Sequence, residues 1–94
     1  MKIISDTYKD SVRYVVAQTE GVCSKAIELL VEGDVILDVA FHGGCNGNLK
    51  GITALVKGQK ISDVKERLSG ITCGGKNTSC PDQFAQLLAA VQEK

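Results

Sequence analysis

Apolar and polar positions alternate with a period of two through the middle of this chain, and beyond residue 47 the spacing becomes helical. Ile27, Leu29 and Val31 alternate with Glu28, Leu30 and Glu32; after Gly33-Asp34, Val35, Leu37, Val39 and Phe41 alternate with Ile36, Asp38, Ala40 and His42. The pattern predicts a β-hairpin. An earlier β-branched and aromatic run, Val12 to Gln18, predicts the first strand. Hairpin register depends on the loop. With a two-residue Gly33-Asp34 loop, Val31 faces Ile36, and the apolar face of one strand runs into the mostly polar face of the other. A three-residue loop, Glu32-Gly33-Asp34, instead pairs Val31 with Val35, Leu29 with Leu37 and Ile27 with Val39 in one continuous apolar face, and is the expected arrangement. It also sets Glu28 opposite Asp38, a repulsion that Arg13 on the first strand is placed to relieve. Carried to the open end of the hairpin, the same register puts Cys23 beside Gly43, and hence Cys45 close to Cys23.

Leu49, Ile52, Leu55 and Val56 fit a helix from about Gly47 to Lys57, closed by Gly58. A shorter helix is expected to start with Ser62 as N-cap, bury Val64 and Leu68, and end at Gly70. A third begins at Ser79 or Cys80, with Pro81 in the first turn, where its missing N–H is harmless, and Asp82 favourable to the helix dipole. Its apolar stripe is Phe84, Leu87, Leu88 and Val91. Strands first and helices after them predict an α+β fold: a small three-stranded antiparallel sheet followed by three helices packed on one face, in a single domain over residues 1–94.

Composition narrows the classes of function. A chain of 94 residues buries a sizeable core without needing disulfides or metal merely to fold. The start, Met1-Lys2-Ile3-Ile4-Ser5-Asp6, has no apolar signal region, and no apolar run approaches a membrane span, so a soluble cytoplasmic protein is expected. Eleven basic residues balance eleven acidic ones, and there are two Tyr, two Phe and no Trp. That leaves no electrostatic or stacking footprint for nucleic acid, and none for a membrane surface.

The chain's reactive groups are its four cysteines, each within two residues of a glycine or at a helix start: Gly21-Val22-Cys23, Gly44-Cys45-Asn46-Gly47, Cys73-Gly74-Gly75 and Ser79-Cys80-Pro81. In a reducing compartment such a set reads as metal binding or redox chemistry rather than structural disulfides. Cys45 and Cys80 lie at expected helix N-termini, whose partial positive charge favours anionic sulfur. Convergence of all four would suit zinc or an iron–sulfur cluster, which the spacing does not distinguish. The plainer reading of each cysteine is a small buried hydrophobe.

Other residues have plainer explanations too. His42, the chain's one imidazole, is either a ligand or base for the Cys45 thiol or a half-solvated histidine on the polar strand face beside Ser24. Asp82 either orients a catalytic group or serves the helix start; Asn46 and Asn48 either line a ligand or form turns. Lys57, Lys60, Lys65 and Arg67 read as solvated helix faces.

At Thr78-Ser79-Cys80-Pro81-Asp82, with Gly43-Gly44-Cys45-Asn46-Gly47-Asn48 upstream, the chain resembles the small stand-alone proteins of the TSCPD-domain family. Gly21-Val22-Cys23, Phe41 to Leu49, Gly70-Ile71-Thr72-Cys73-Gly74 and Lys76 to Gln83 are similar to the family's successive blocks. A related domain stands at the C-terminus of adenosylcobalamin-dependent ribonucleoside-diphosphate reductases. The resemblance implies an accessory role in deoxyribonucleotide synthesis, and so in DNA synthesis beside nucleotide-binding oxidoreductases. The chain is too short for the catalytic barrel, so the implied partner is a large ribonucleotide reductase subunit, which alone would carry the cobalamin and nucleotide. Cys23, Cys45, Cys73 and Cys80 are then metal ligands or a dithiol relay. The alternative is a non-enzymatic metal or iron–sulfur carrier. A looser likeness of layout, strands then helices with cysteines at one end, links the chain to iron–sulfur assembly scaffolds.

Overall fold

A computed structural model of the chain describes residues 2–19, 24–43, 46–72 and 78–92. Four strands come first, β1 (Lys2–Lys9), β2 (Val12–Gln18), β3 (Ser24–Glu32) and β4 (Val35–Gly43), followed by α1 (Asn46–Val56), α2 (Ile61–Leu68) and α3 (Cys80–Gln92). The strands form an antiparallel sheet in the order β1-β2-β3-β4. Val15, Ala17, Ile27, Leu29, Val31, Ile36 and Val39 share one core with Val56, Ile61, Val64, Phe84, Leu87, Leu88 and Val91, so the helices cover one face of the sheet.

The α+β class and the three helices match expectation, but the sheet has four strands rather than three. β1 has little alternation to betray it. It is an edge strand, and of its side chains Ile3 is the apolar one packed against the core. Asp10, at φ 57°, and Ser11 make its two-residue turn into β2 without a glycine. What docks β1 is largely polar. Arg13, 7 % exposed, donates from Nε to Asp6 at 2.7 Å and from a second guanidinium nitrogen to the other carboxylate oxygen. It also donates to the Val91 carbonyl, in the last turn of α3, at 3.0 Å.

The β3–β4 hairpin departs from the expected register. Glu32 pairs with Val35 across the two-residue Gly33-Asp34 loop, and Val31 faces Ile36. The apolar face survives because β4 then bulges at Leu37: Leu30 faces Asp38, Leu29 faces Val39 and Ile27 faces Phe41. One extra residue lets Ile36, Val39 and Phe41 turn inward while Leu37 stays 40 % exposed. The Val39 N–H finds an acceptor in Asp38 Oδ1 at 2.8 Å. The start of β4 is held from its outer side by the chain after α1. Gly58 N–H donates to Ile36 O at 2.7 Å, Ile36 N–H to Gln59 O at 2.9 Å, and Ile61 N–H to Asp34 O at 2.8 Å. The expected Glu28–Asp38 clash is absent, since Glu28 faces Ala40, Asp38 lies 3.4 Å from Lys57, and Arg13 is engaged with Asp6.

α1 ends as expected, with Gly58 in the left-handed region at φ 81°, but Leu55 is 78 % exposed and lies off its buried stripe. α2 starts two residues earlier than a Ser62 cap requires. Lys60 occupies the N-cap position without a side-chain bond, and the bond from Ile61 N–H to Asp34 O does the capping work instead. In α3 the stripe Phe84, Leu87, Leu88 and Val91 is buried throughout. Phe84 meets Phe41 edge to face at 5.7 Å near one end of the sheet, while Arg13 binds Val91 O near the other, so α3 runs the length of the sheet.

Candidate functional site

Cys80 is the first residue of α3 and is 5 % exposed. Cys23, Cys45 and Cys73 lie outside the described residues, as does the expected closeness of Cys23 and Cys45. The described residues that flank these cysteines are well placed, however. β3 begins at Ser24, which pairs with Gly43, the last residue of β4. Gly43 was expected opposite Cys23; the two-residue loop and the bulge at Leu37 shift the register by two residues, and a second irregularity, which leaves Lys25 unpaired between Ser24 and Ala26, takes one of them back. α1 begins at Asn46 and is fastened to β4 by the Thr53 hydroxyl, which bonds Val39 O at 3.2 Å. Cys80 lies one helical turn before Phe84, whose ring contacts Phe41 two residues before Gly43. The described neighbours of Cys23, Cys45 and Cys80 therefore share one end of the sheet.

Gly70, Ile71 and Thr78, the described residues on either side of Cys73 in sequence, are fastened to the start of α3. Ser79 Oγ accepts the Asp82 N–H at 3.1 Å, as an N-cap does three residues before its partner, and donates to Ile71 O at 2.7 Å. The Asp82 carboxylate accepts the Gly70 N–H at 2.7 Å, the Thr78 hydroxyl, and the Gln86 amide at 3.0 Å. These bonds hold its carboxyl below the usual carboxylate range, the Thr78 bond most and the Gly70 N–H next. Asp82 is thus a connector between loop and helix in addition to its favourable place near the dipole. The roles of Thr78, Ser79 and Gly70 escaped the reading of the sequence. The Ser79-x-x-Asp82 spacing was the available signal for the cap, but nothing local marks Gly70 as the partner of a residue twelve positions away.

His42 faces Ala26 rather than Ser24, on the sheet face away from the helices. Its Nε2 lies 3.1 Å from Glu28 Oε1, and its side chain is 53 % exposed. Glu28 also accepts from the Tyr14 hydroxyl, and that bond raises the phenol above its usual range, with smaller contributions from desolvation and the nearby carboxylate charge. Asn48 is exposed on α1. Among the described residues no three His, Cys, Asp or Glu side chains are grouped to hold a metal ion, and no helix is long and apolar enough to cross a membrane.

The family model described as TSCPD domain matches residues 6–92, nearly the whole chain. No curated protein and no solved structure matches it.

Proposed function

The chain belongs to the TSCPD domain family, and on that basis we propose that it is an accessory module of ribonucleoside-diphosphate reduction whose working part is a four-thiolate metal site formed by Cys23, Cys45, Cys73 and Cys80. The observation that supports the proposal is that described residues flanking the cysteines in sequence lie at one end of the fold. Ser24, Gly43 and Asn46 flank Cys23 and Cys45 in sequence, and Gly70, Ile71 and Thr78, on either side of Cys73 in sequence, are bonded to Ser79 or Asp82 at the start of α3, where Cys80 stands. Burial of Cys80 supports a ligand that faces inward over a redox relay, whose sulfurs need access to a partner. Four thiolates are a soft donor set, suited to zinc or an iron–sulfur cluster. In this reading the large reductase subunit is the partner and supplies the adenosylcobalamin and the nucleotide; the metal site serves that assembly in the cytoplasm.

The test is metal and acid-labile sulfide analysis of protein purified without oxygen, with free thiols counted on the same sample. Stoichiometric zinc or iron that is lost in Cys80→Ala and in Cys45→Ser is the expected result. Metal-free protein whose thiols cycle reversibly as a dithiol would overturn the metal site and leave a relay in its place.

A further inference from the structure

α1 has an outward side that the packing of the described chain does not account for. Leu49, Ile52 and Val56 turn toward the core, while Gly47, Gly51, Ala54 and Leu55 are exposed. Gly51 stands in mid-helix, where glycine is a weaker choice than alanine. A Cβ added there would meet nothing within 4 Å, and its φ is not in the left-handed region, so nothing in the described fold requires the glycine. Leu55, at 78 %, is the most exposed large apolar side chain among the described residues.

Beside this stripe, α1 and α2 enclose a groove of about 370 Å³. Ile52, Leu55 and Val56 form one wall, and Val64 and Leu68 the other. Asp63 and Arg67, both exposed, also line it. They lie four residues apart on α2, a spacing that permits a pair within the helix, yet neither makes an ion pair among the described residues. An acidic partner would satisfy Arg67 and repel Asp63, and a basic one the reverse. A partner that presents both charges in opposite order satisfies both, and α2 run antiparallel to itself does so.

We propose that this chain forms a two-fold homodimer through the outward faces of α1 and α2. The axis crosses α1 near Ala54 and α2 near Lys65 and lays each helix antiparallel on its own counterpart, so the interface is the same patch taken twice. Asp63 of each copy then meets Arg67 of the other, and Leu55 of each enters the groove of the other. Gly51, Ala54 and Gly58 let the two α1 backbones approach closely, which gives the mid-helix glycine its purpose. The proposal stands apart from the cysteine reading and uses none of its residues.

Sedimentation equilibrium of the full chain in reducing buffer, from low to high micromolar concentration, tests it. A reversible monomer–dimer equilibrium is expected. Leu55→Asp, at an exposed position that the monomer fold does not need, should weaken it by about a hundredfold or more, since it buries an unpaired charge twice. Asp63→Arg and Arg67→Asp should each weaken it by about tenfold or more through like-charge contact, and the double variant should recover most of the loss. Gly51→Gln should act in opposite directions on fold and assembly: a higher urea midpoint at concentrations where the protein is monomeric, and weaker association. Wild-type protein that stays monomeric at the highest concentration overturns the proposal and leaves the groove to another occupant. A dimer indifferent to Leu55→Asp and Gly51→Gln overturns it as well, because assembly then uses another surface.

Discussion

Replacing Arg13 by methionine is the sharpest test of how this fold is held. The guanidinium makes two bonds to the Asp6 carboxylate and one to the Val91 carbonyl, so it joins β1, β2 and the last turn of α3 at one point. The side chains of Arg13 and Asp6 are 8 % and 19 % exposed. Removing one partner of a buried pair costs about 3–5 kcal/mol, chiefly because the remaining charge is stranded. Asp6 keeps some contact with water, which brings the expected loss to about 2–4 kcal/mol. Methionine retains the apolar stem, so packing changes little. A domain of this size has a total stability of about 5–14 kcal/mol, and the variant therefore surrenders a substantial part of it. With a urea dependence of about 2 kcal/mol per molar, the unfolding midpoint should fall by about 1–2 M.

A double-mutant cycle completes the measurement. Asp6→Asn removes the charge that Arg13→Met deprives of the guanidinium, so the double variant should be less destabilised than the two single losses added together, by about 1–3 kcal/mol. Native-state hydrogen exchange should show the amides of β1 opening first in Arg13→Met. An Arg13→Met midpoint within error of wild type, or losses that simply add, would refute the claim that this cluster is what docks β1.

Two further outcomes follow from the packing and the outer sheet face. Phe84 is fully buried with its ring edge-to-face against Phe41, so Phe84→Ala should cost about 3–5 kcal/mol in urea unfolding and Phe84→Leu markedly less; equal losses would contradict the cavity argument. The Tyr14 phenol is held above its usual range, first by its hydrogen bond to Glu28. The stability from that bond is fully present below the ordinary tyrosine value and is lost as pH rises through the raised one. In a Tyr8→Phe background, a spectrophotometric titration should show Glu28→Gln moving the Tyr14 midpoint downward; no movement would discount the bond.

What the sequence made legible was whatever is written in local periodicity. The α3 stripe, the Val12–Gln18 strand and the Gly58 helix stop all rest on spacing that a single element needs, and each is found in place. The misses are non-local. β1 is an edge strand docked through Arg13 rather than through an apolar stripe, and its turn uses Asp10 where a glycine would have announced it. The hairpin register failed because continuity of the apolar face was assumed to require regular pairing, whereas the bulge at Leu37 restores continuity from the two-residue loop. Ser62 looked like a cap, but a backbone carbonyl from the β3–β4 turn meets the Ile61 N–H, and no pattern near Ser62 reports that. For the site, the cysteines were conspicuous in the sequence and the bonds that gather their flanking segments were not.

That division bears on how a site of this kind can be built. Fixing a glycine-rich backbone costs more conformational entropy than fixing an average one, so groups meant to act together on such a backbone need ties from ordered elements. The described structure concentrates the means of that ordering around one helix turn. Ser79 caps α3 and ties Ile71, Asp82 ties Gly70 and Thr78, and Phe84, one turn on from Cys80, locks the helix against Phe41 at the end of β4. Two kinds of force are involved, and they guard different things. Ring packing and the buried stripe secure α3 on the sheet at a cost of several kcal/mol if lost, so changes there threaten the fold. The hydrogen bonds of Thr78, Ser79 and Asp82 are each worth less, and their loss should free Gly70 and Ile71 from the start of α3 while the sheet and helices persist. A site arranged in this way can be weakened without unfolding the protein, which is the behaviour that separates a positioning network from a structural staple.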